Sequence, residues 1–243
     1  MTDTPEPAGP RNLHDSVVQR WGAEIVDGTL PTGSRVVADE AAERFGVSRS
    51  VIREAVRVLE SMGLLATRRR VGITVQPPEG WNPFDPNIIR WRLAGPDRDA
   101  HLRSLGELRG AVEPLAARLA AERADPEDCG RLTAAVIGMS ATARAADGAA
   151  YLGHDADFHR ALLRASGNPM LAGLSQVVVE VLAGRTRHAL MPRTAVPEAV
   201  QWHAAVAAAV QAGDPDAAEE MMRRIIGEAG DALARQQAAD RRG

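Results

Sequence analysis

The sequence predicts a mainly α protein in two parts, a three-helix module closed by a β-hairpin and then an all-α antiparallel helical bundle. Three observations carry that prediction. Arg49, Arg53 and Arg57 recur at i, i+4 and i+8, opposite an apolar stripe of Val51, Ala55, Val58, Leu59 and Met62. Directly after them, residues 64–75 read as two short strands around the basic tip Arg68-Arg69-Arg70-Val71-Gly72. From Arg98 to Arg235 helical periodicity is interrupted only at aspartate, glycine and proline punctuation. A chain of 243 residues has the length for two domains, each with its own core.

Met1 to Pro10 is polar and proline-rich, so residues 1–11 are expected to form a disordered tail and not a signal peptide. Leu13 to Val26 reads as an amphipathic helix with Leu13, Val17, Val18, Trp21, Ile25 and Val26 facing a core. A turn from Gly28 to Gly33 leads to a short helix, Ala38 to Phe45, which Gly46 ends. Ser48 stands where a helix N-cap is wanted, and the arginine-bearing helix follows until Gly63. Leu64-Leu65 and Ile73-Thr74-Val75 then form the hairpin. Three helices followed by a basic-tipped hairpin make a winged helix-turn-helix over residues 12–76, with the third helix equipped to enter a DNA major groove. Guanidinium forks on its N-terminal half can grip guanine edges and phosphates.

Gln76-Pro77-Pro78-Glu79-Gly80 opens a linker expected over 77–97, since two prolines forbid helix and deny ladder donors. Within it Ile88 to Leu93 is apolar enough to pack against a body. The bundle over 98–240 should hold about six helices, with breaks at Asp125-Pro126, Asp147-Gly148, Gly167-Asn168-Pro169, Met191-Pro192 and Gly213-Asp214-Pro215. Asp125-Pro126 and Asp214-Pro215 each put an acidic cap before proline at the first helical position.

Charge is distributed unevenly. The formal net charge is −3, yet seven arginines stand between Arg44 and Arg70 against Glu54 and Glu60. DNA binding is therefore a property of one module. Arginine by itself says little, because all 29 basic residues are arginine. None of the few aromatic residues lies in the arginine helix or the wing, which argues against reading single strands by base stacking. Cys129 is alone, so no disulfide or thiolate zinc site forms within one chain. No apolar run reaches the length of a membrane span, and the expected location is the cytoplasm.

In the bundle, Asp155 and His159 are spaced i, i+4, and His203 stands on a later helix among apolar neighbours. Aspartate with two histidines is a ligand set for a divalent metal such as Zn, Ni or Mn, with positions left open. The residues alone leave the plainer readings standing, a surface Asp–His contact and a satisfied core histidine. Imidazole must be neutral to ligate, so occupancy is expected to fall below about pH 6.5.

The stretch Gly33-Ser34-Arg35-Val36-Val37 and the run from Ala42 through Gly46-Val47-Ser48-Arg49-Ser50 to Arg53-Glu54-Ala55 resemble the N-terminal domain of GntR-type bacterial transcription regulators. The resemblance implies that Arg35, Arg49 and Arg53 are the principal DNA contacts, assisted by Ser48, Ser50 and Gly72 of the wing. Arg69, with Arg68 and Arg70, is read as a phosphate contact at the wing tip. Several members carry a further arginine at the start of the short helix, where this chain has Ala38, Asp39 and Glu40.

The segments Glu107 to Pro114, Asp155 to His159, Ser166 to Pro169 and the surroundings of His203 look like the helical FCD ligand-binding domain of the FadR branch. That resemblance implies a metal on Asp155, His159, His203 and a further histidine on the last helix. Here the further position falls at Ile225, which leaves three protein ligands. The branch this pattern most resembles contains repressors of galactonate-type sugar acid catabolism.

The resulting expectation is a homodimeric, ligand-responsive repressor that binds double-stranded operator DNA and answers to a small carboxylate effector, a sugar acid or hydroxy acid. Arg109 has two readings, a bidentate clamp for the effector carboxylate or a salt bridge with Glu107 or Glu113. Arg185 and Arg187 are weaker candidates of the same kind, and His188 has no evident partner. Two rivals stand beside this expectation. One is a constitutive dimeric DNA-binding protein without an effector. The other is a metal-dependent hydrolase, against which the absence of a phosphate loop, dinucleotide fingerprint or nucleophile elbow weighs; the expectation is no enzyme.

Overall fold

A computed structural model describes residues 10–69, 72–187 and 197–240, with side chains over 13–69, 72–184 and 198–231. It divides into two compact units, Met1–Arg98 and Asp99–Gly243. Residues 1–9 of the tail expected over 1–11, Arg70, Val71 and His188, and the break at Met191-Pro192 lie outside the described residues, as do the side chains of Arg185 and Arg187.

In the first unit α1 spans Pro10–Val26, so residues 10 and 11 begin a helix and do not extend the tail. After it come β1 (Arg35–Val36), α2 (Ala38–Phe45), α3 (Arg49–Ser61), β2 (Leu65–Arg68), β3 (Gly72–Val75) and α4 (Pro86–Ala94). Gly46 at φ 65° ends α2, and its N–H bonds back to the last-turn carbonyls of Ala42 and Glu43. Ser48 caps α3 by accepting from the Val51 N–H at 3.5 Å. The turn is thus locked at both ends, and it fixes the angle between the two helices.

α1, α2, α3 and α4 close over a core of Trp21, Ile25, Ile52, Leu59, Leu64, Val75 and Trp91. Two sequence expectations need correction. Leu13 is 40 % exposed, because it lies where α1 begins and nothing in the unit's core covers it. On α3 the deeply buried positions are Ile52, Ala55, Val56, Leu59 and the capping Met62, with Val51 and Val58 only half-buried. The helix packs against α1, α2 and β2 together, so its covered arc is wider than a single stripe and shifted by about one residue.

The wing is a three-stranded antiparallel sheet in the order β1-β3-β2, one strand more than the hairpin expected. Arg35 pairs with Thr74, and Arg68 with Gly72. Gly63 at φ 80° closes α3, and a Cβ there would meet the Gly80 carbonyl oxygen at 2.1 Å, so no other residue fits.

The stretch 77–97, expected as a linker, carries a 3-10 turn at Pro78–Gly80 and the whole of α4. Asp85 caps α4 by accepting from Asn87 N–H at 2.8 Å, with Pro86 at the first helical position. α4 lies on α1: Trp91 Nε1 donates to Gln19 Oε1 at 3.2 Å and Gln19 Nε2 donates to Asn87 Oδ1 at 2.8 Å. Ile88 and Trp91 thereby join the core of the first unit.

Among its described residues the second unit contains helices and no strand: α5 (Arg98–Arg123), α6 (Pro126–Arg144), α7 (Gly148–Ala165), α8 (Pro169–Gly173), α9 (Ser175–Arg187), α10 (Pro197–Ala212) and α11 (Pro215–Asp240). Asp125 and Asp214 cap α6 and α11, accepting from Asp128 N–H at 2.8 Å and Ala217 N–H at 3.0 Å. α7 packs between α6 and α9, and α10 against α6 and α11. Phe158 and Leu162 of α7 face one apolar cluster with Leu132, Met139, Val206 and Met222. Ala156 and Leu163 face another with Ala116, Val178 and Leu182. A helix buried on both sides gives any polar residue on it a dry and rigid setting. Among the described residues no helix is long and apolar enough to cross a membrane.

Candidate functional site

The two units each carry one cluster of chemistry. In the first, Arg49, Arg53 and Arg57 stand exposed on α3, opposite its buried face. Ser48 and Ser50, also exposed, lie with their hydroxyls 2.8 Å apart at the helix N-terminus. Arg35 is exposed on β1, and Arg68, Arg69 and Gly72 are exposed at the described edge of the wing. Gly72 has φ 91°, which favours glycine at the start of β3. Arg57 Nη1 is 2.7 Å from Glu54 of its own helix. Arg49 Nε is 2.7 Å from Asp39 Oδ1 in the first turn of α2. Among the described residues Arg53 makes no ion pair. Exposed guanidinium forks thus stand both on α3 and on the strands of the wing.

In the second unit, α7 brings Asp155 and His159 to one buried face and α10 brings His203 against them. All three are within 5 % of full burial. His203 Nε2 lies 3.2 Å from Asp155 Oδ1, His159 Nε2 lies 3.6 Å from the same oxygen, and the two Nε2 atoms are 3.5 Å apart. Phe158 meets both rings edge to face, at centroid distances of 5.7 Å to His159 and 4.8 Å to His203. Its bulk holds the imidazoles in orientation.

Each ring is also fixed from its far side. His203 Nδ1 lies 2.6 Å from the Ala199 carbonyl, which only accepts, so that nitrogen carries a hydrogen, and in the neutral ring Nε2 then presents a lone pair. His159 Nδ1 lies 2.5 Å from Glu113 Oε2, close though off the axis of a good hydrogen bond. Glu113, on α5, is held by Arg109: Nε donates to Oε1 at 2.5 Å and Nη2 to Oε2 at 3.3 Å. Of the two readings of Arg109, the structure shows the ion pair, with Glu113 and within one helix. Glu113, expected only as one possible salt-bridge partner of Arg109, and Phe158, for which the sequence suggested no role, both belong to the site.

The electrostatics follow from burial and pairing. Burial alone would raise the Glu113 carboxyl, but Arg109 and then His159 hold it down at about 2. Burial works the same way on Asp155, but the two imidazoles that meet its oxygen, His159 first, keep it well below the usual carboxylate range. For His159 burial disfavours the charged ring, yet Glu113 and Asp155 outweigh it and raise its pKa to about 9. With both imidazoles neutral, two carboxylates face one guanidinium, a net charge of −1 in a dry interior. The lone pairs of Nε2 and the Asp155 oxygen then converge with no hydrogen between them. Such an arrangement calls for a shared cation, a proton or a metal.

The donor spacing discriminates further. An ion with bonds of about 2.1 Å has donors about 3.4 Å apart when tetrahedral and about 3.0 Å apart when octahedral. The observed 3.2, 3.5 and 3.6 Å match one triangular face of the tetrahedral case. Imidazoles oriented through Nδ1 by a carbonyl and a carboxylate are the usual outer shell of such a site. Ile225 of α11, where the resemblance expects a fourth ligand, is buried in the apolar cluster with Phe158 and Met222. The residues present fit a divalent metal with three protein ligands.

Comparison with known proteins finds a family match within each unit. Residues 13–75 match the family described as bacterial regulatory proteins, gntR family, and residues 104–228 match the FCD domain. The galactonate operon transcriptional repressor of Escherichia coli K12 is 34 % identical over 218 residues, spanning 88 % of this chain and 94 % of its own. The putative L-lactate dehydrogenase operon regulatory protein of the same organism is 32 % identical over 221 residues, spanning 88 % and 83 %. Among solved structures, E. coli McbR/YncC aligns over 93 % of this chain and 98 % of its own with a TM-score of 0.55 at 21 % identity, a likeness of fold.

Proposed function

The chain belongs to the GntR family of bacterial regulatory proteins and carries the FCD domain, and from that premise we propose that it is a homodimeric repressor released from its operator by a small hydroxy-carboxylate. It is a DNA-binding transcription regulator; the sign of regulation, the effector and the site residues are what the proposal adds. The names of two relatives, repressor of a galactonate operon and regulator of a lactate dehydrogenase operon, support an acid bearing a hydroxyl, with a sugar acid first.

The observation that carries the effector reading is the buried Asp155, His159 and His203 triangle, oriented from behind by Ala199 and by Glu113. These three residues would hold a divalent cation, Zn, Ni or Mn, which when bound supplies positive charge and open positions for a carboxylate and its neighbouring hydroxyl. A cation of charge +2 turns the cluster's −1 into +1, so a monoanion balances it. Arg109 is already engaged on both edges of Glu113, so an effector carboxylate reaching it would share it with that residue. Its first role in this reading is to hold Glu113.

On the DNA side, Arg49 and Arg53 enter the major groove with Ser48 and Ser50 beside them, and Arg35, Arg69 and Gly72 follow the backbone. One winged module buries too little surface for tight, specific binding, so two half-sites are read by a dimer, in the cytoplasm. Effector binding shifts the dimer between states that do and do not match the half-site spacing, which requires different effector affinity in the two states.

His203→Ala tests the whole. Metal content is measured on the purified full chain, and operator release is followed by fluorescence anisotropy while hydroxy acids are titrated. Expected are loss of bound metal and of release, with operator binding itself intact. Normal release by the same acid, with no metal bound, would leave the histidines as core residues. Turnover of an acid by the zinc-loaded protein would revive the hydrolase.

A further inference from the structure

We propose that Asp39 is a specificity-determining residue of the DNA interface, holding the Arg49 guanidinium by its Nε edge so that the two Nη groups are presented to a guanine. The inference rests on the reading that α3 enters the groove. Arg49 is the first residue of α3 and Asp39 the second of α2, and Nε lies 2.7 Å from Oδ1. The turn between the helices is fixed by Gly46 at φ 65°, by the Val47 N–H bond to the Ala42 carbonyl at 3.1 Å and by the Ser48 cap. The distance between the two residues is therefore set by the backbone and does not depend on chance meeting of long side chains.

The chemistry of guanidinium makes the point of contact informative. The group has five N–H donors in a rigid plane, and the Nε side and the Nη1/Nη2 side are separate edges. Guanine O6 and N7 take two parallel donors from one edge. A carboxylate at Nε leaves the other edge whole, whereas one across the Nη pair would occupy the reading edge. Arg57, by contrast, meets Glu54 through Nη1.

Asp39 is also costly where it stands. A carboxylate on a DNA-facing surface repels phosphate and lowers affinity for every sequence alike. As an exposed pair, with side chains 75 % and 56 % accessible, it adds little to folding. Its return is in the complex: water leaves, the pair strengthens, and Arg49 has fewer ways to meet a wrong base. The plainer role for Asp39 is to answer the free N–H groups of α2, whose N-cap Val37 offers no side-chain acceptor.

The full-length protein, Asp39→Asn, Arg49→Ala and the double variant are each passed over a randomised double-stranded DNA pool, and dissociation constants for the selected site and its single-base variants are read at fixed salt. The wild type should enrich a half-site containing a guanine whose preference Arg49→Ala erases. Asp39→Asn should lower discrimination at that same position about tenfold, leave the other positions alone, and bind unselected DNA at least as well as wild type. Adding Asp39→Asn to Arg49→Ala should change no base preference. Tighter binding to every sequence with the guanine preference intact would overturn the proposal and leave Asp39 a helix-end charge. A preference change that persists without Arg49 would overturn it too, because Asp39 would then read a base itself. If Arg49→Ala erases no base preference at all, the groove-entry reading of α3 fails along with it, an outcome distinct from the other two.

Discussion

Glu113→Gln separates two jobs that one carboxylate does. Its side chain is fully buried, and Arg109, 4 % exposed, rests on both of its oxygens at 2.5 and 3.3 Å. Glutamine keeps the shape and removes the charge, stranding a buried guanidinium. Breaking a buried pair from one side costs about 3–5 kcal/mol, and the amide oxygen still accepts one bond, so about 3 kcal/mol is expected. For a unit of this size that is a fall of about 6–12 °C in melting temperature. The same change removes the carboxylate 2.5 Å from His159 Nδ1, and loss of an outer-shell partner lowers metal affinity about 10–100-fold. A second variant, Arg109→Met with Glu113→Leu, removes both charges. Its stability should return to near wild type, while zinc affinity stays low because His159 is still unsupported. Urea unfolding of chelator-treated protein reads the first effect, and competition with a chromophoric zinc chelator the second. Unchanged melting and zinc affinity in Glu113→Gln would refute the reasoning outright. Wild-type zinc affinity in the double variant would refute the orienting role alone.

Three further outcomes are expected. Arg53→Ala should weaken operator binding by about 1–3 kcal/mol at fixed salt and leave folding intact, and lysine should not fully restore it; undiminished affinity would exclude Arg53 from the groove. Arg69→Gln should weaken binding to all sequences similarly and reduce the salt slope by about one unit; a changed base preference with the same slope would make the wing a reader of sequence. In metal-free protein the raised His159 pKa, about 9 against an ordinary 6.5, gives stability that is full below pH 6.5 and is lost as pH rises through 9, about 3 kcal/mol in all. With zinc in excess the trend should reverse, since proton and metal compete for Nε2, and apparent affinity should climb about tenfold per unit up to about pH 9. Competition therefore begins higher than the pH 6.5 expected from an ordinary imidazole, and flat urea midpoints across this range would contradict the ion-pair cluster.

Where local chemistry sets structure, the sequence was readable to the residue. Gly46, Ser48 and Gly63 bracket α2 and α3 because a left-handed cap and a hydroxyl acceptor act over one turn. The same holds for Asp125-Pro126 and Asp214-Pro215. Asp85-Pro86 carries an identical signal and starts α4, but the prolines at 77, 78 and 83 around it made the whole stretch read as linker. β1 was not legible for a different reason. Two residues show no alternation, and Arg35–Val36 becomes a strand only because β3 offers it a free edge from across the chain. The width of the buried arc on α3 is likewise a tertiary matter, since α1, α2 and β2 all pack on the helix and Ile52 and Val56 are both buried.

The candidate metal site divides along the same line. Asp155 and His159 announce themselves by i, i+4 spacing, and His203 by standing among apolar neighbours, yet nothing in periodicity says that the His203 side chain of α10 meets theirs. Glu113 was harder, because glutamate on a helix is ordinarily solvated. Its signal was present in the company it keeps. Leu102, Leu105, Arg109, Glu113, Ala116, Ala117 and Ala120 are all buried on α5, a stripe on which two opposite charges replace apolar residues one turn apart. A carboxylate and a guanidinium do not enter an alanine-lined interface without a partner for each. Arg109 and Glu113 satisfy one another at i, i+4, and Glu113 still turns an oxygen to His159. An oppositely charged pair on the dry side of a helix is thus a sequence-level sign that something else in the core needs orienting, and here it is an imidazole.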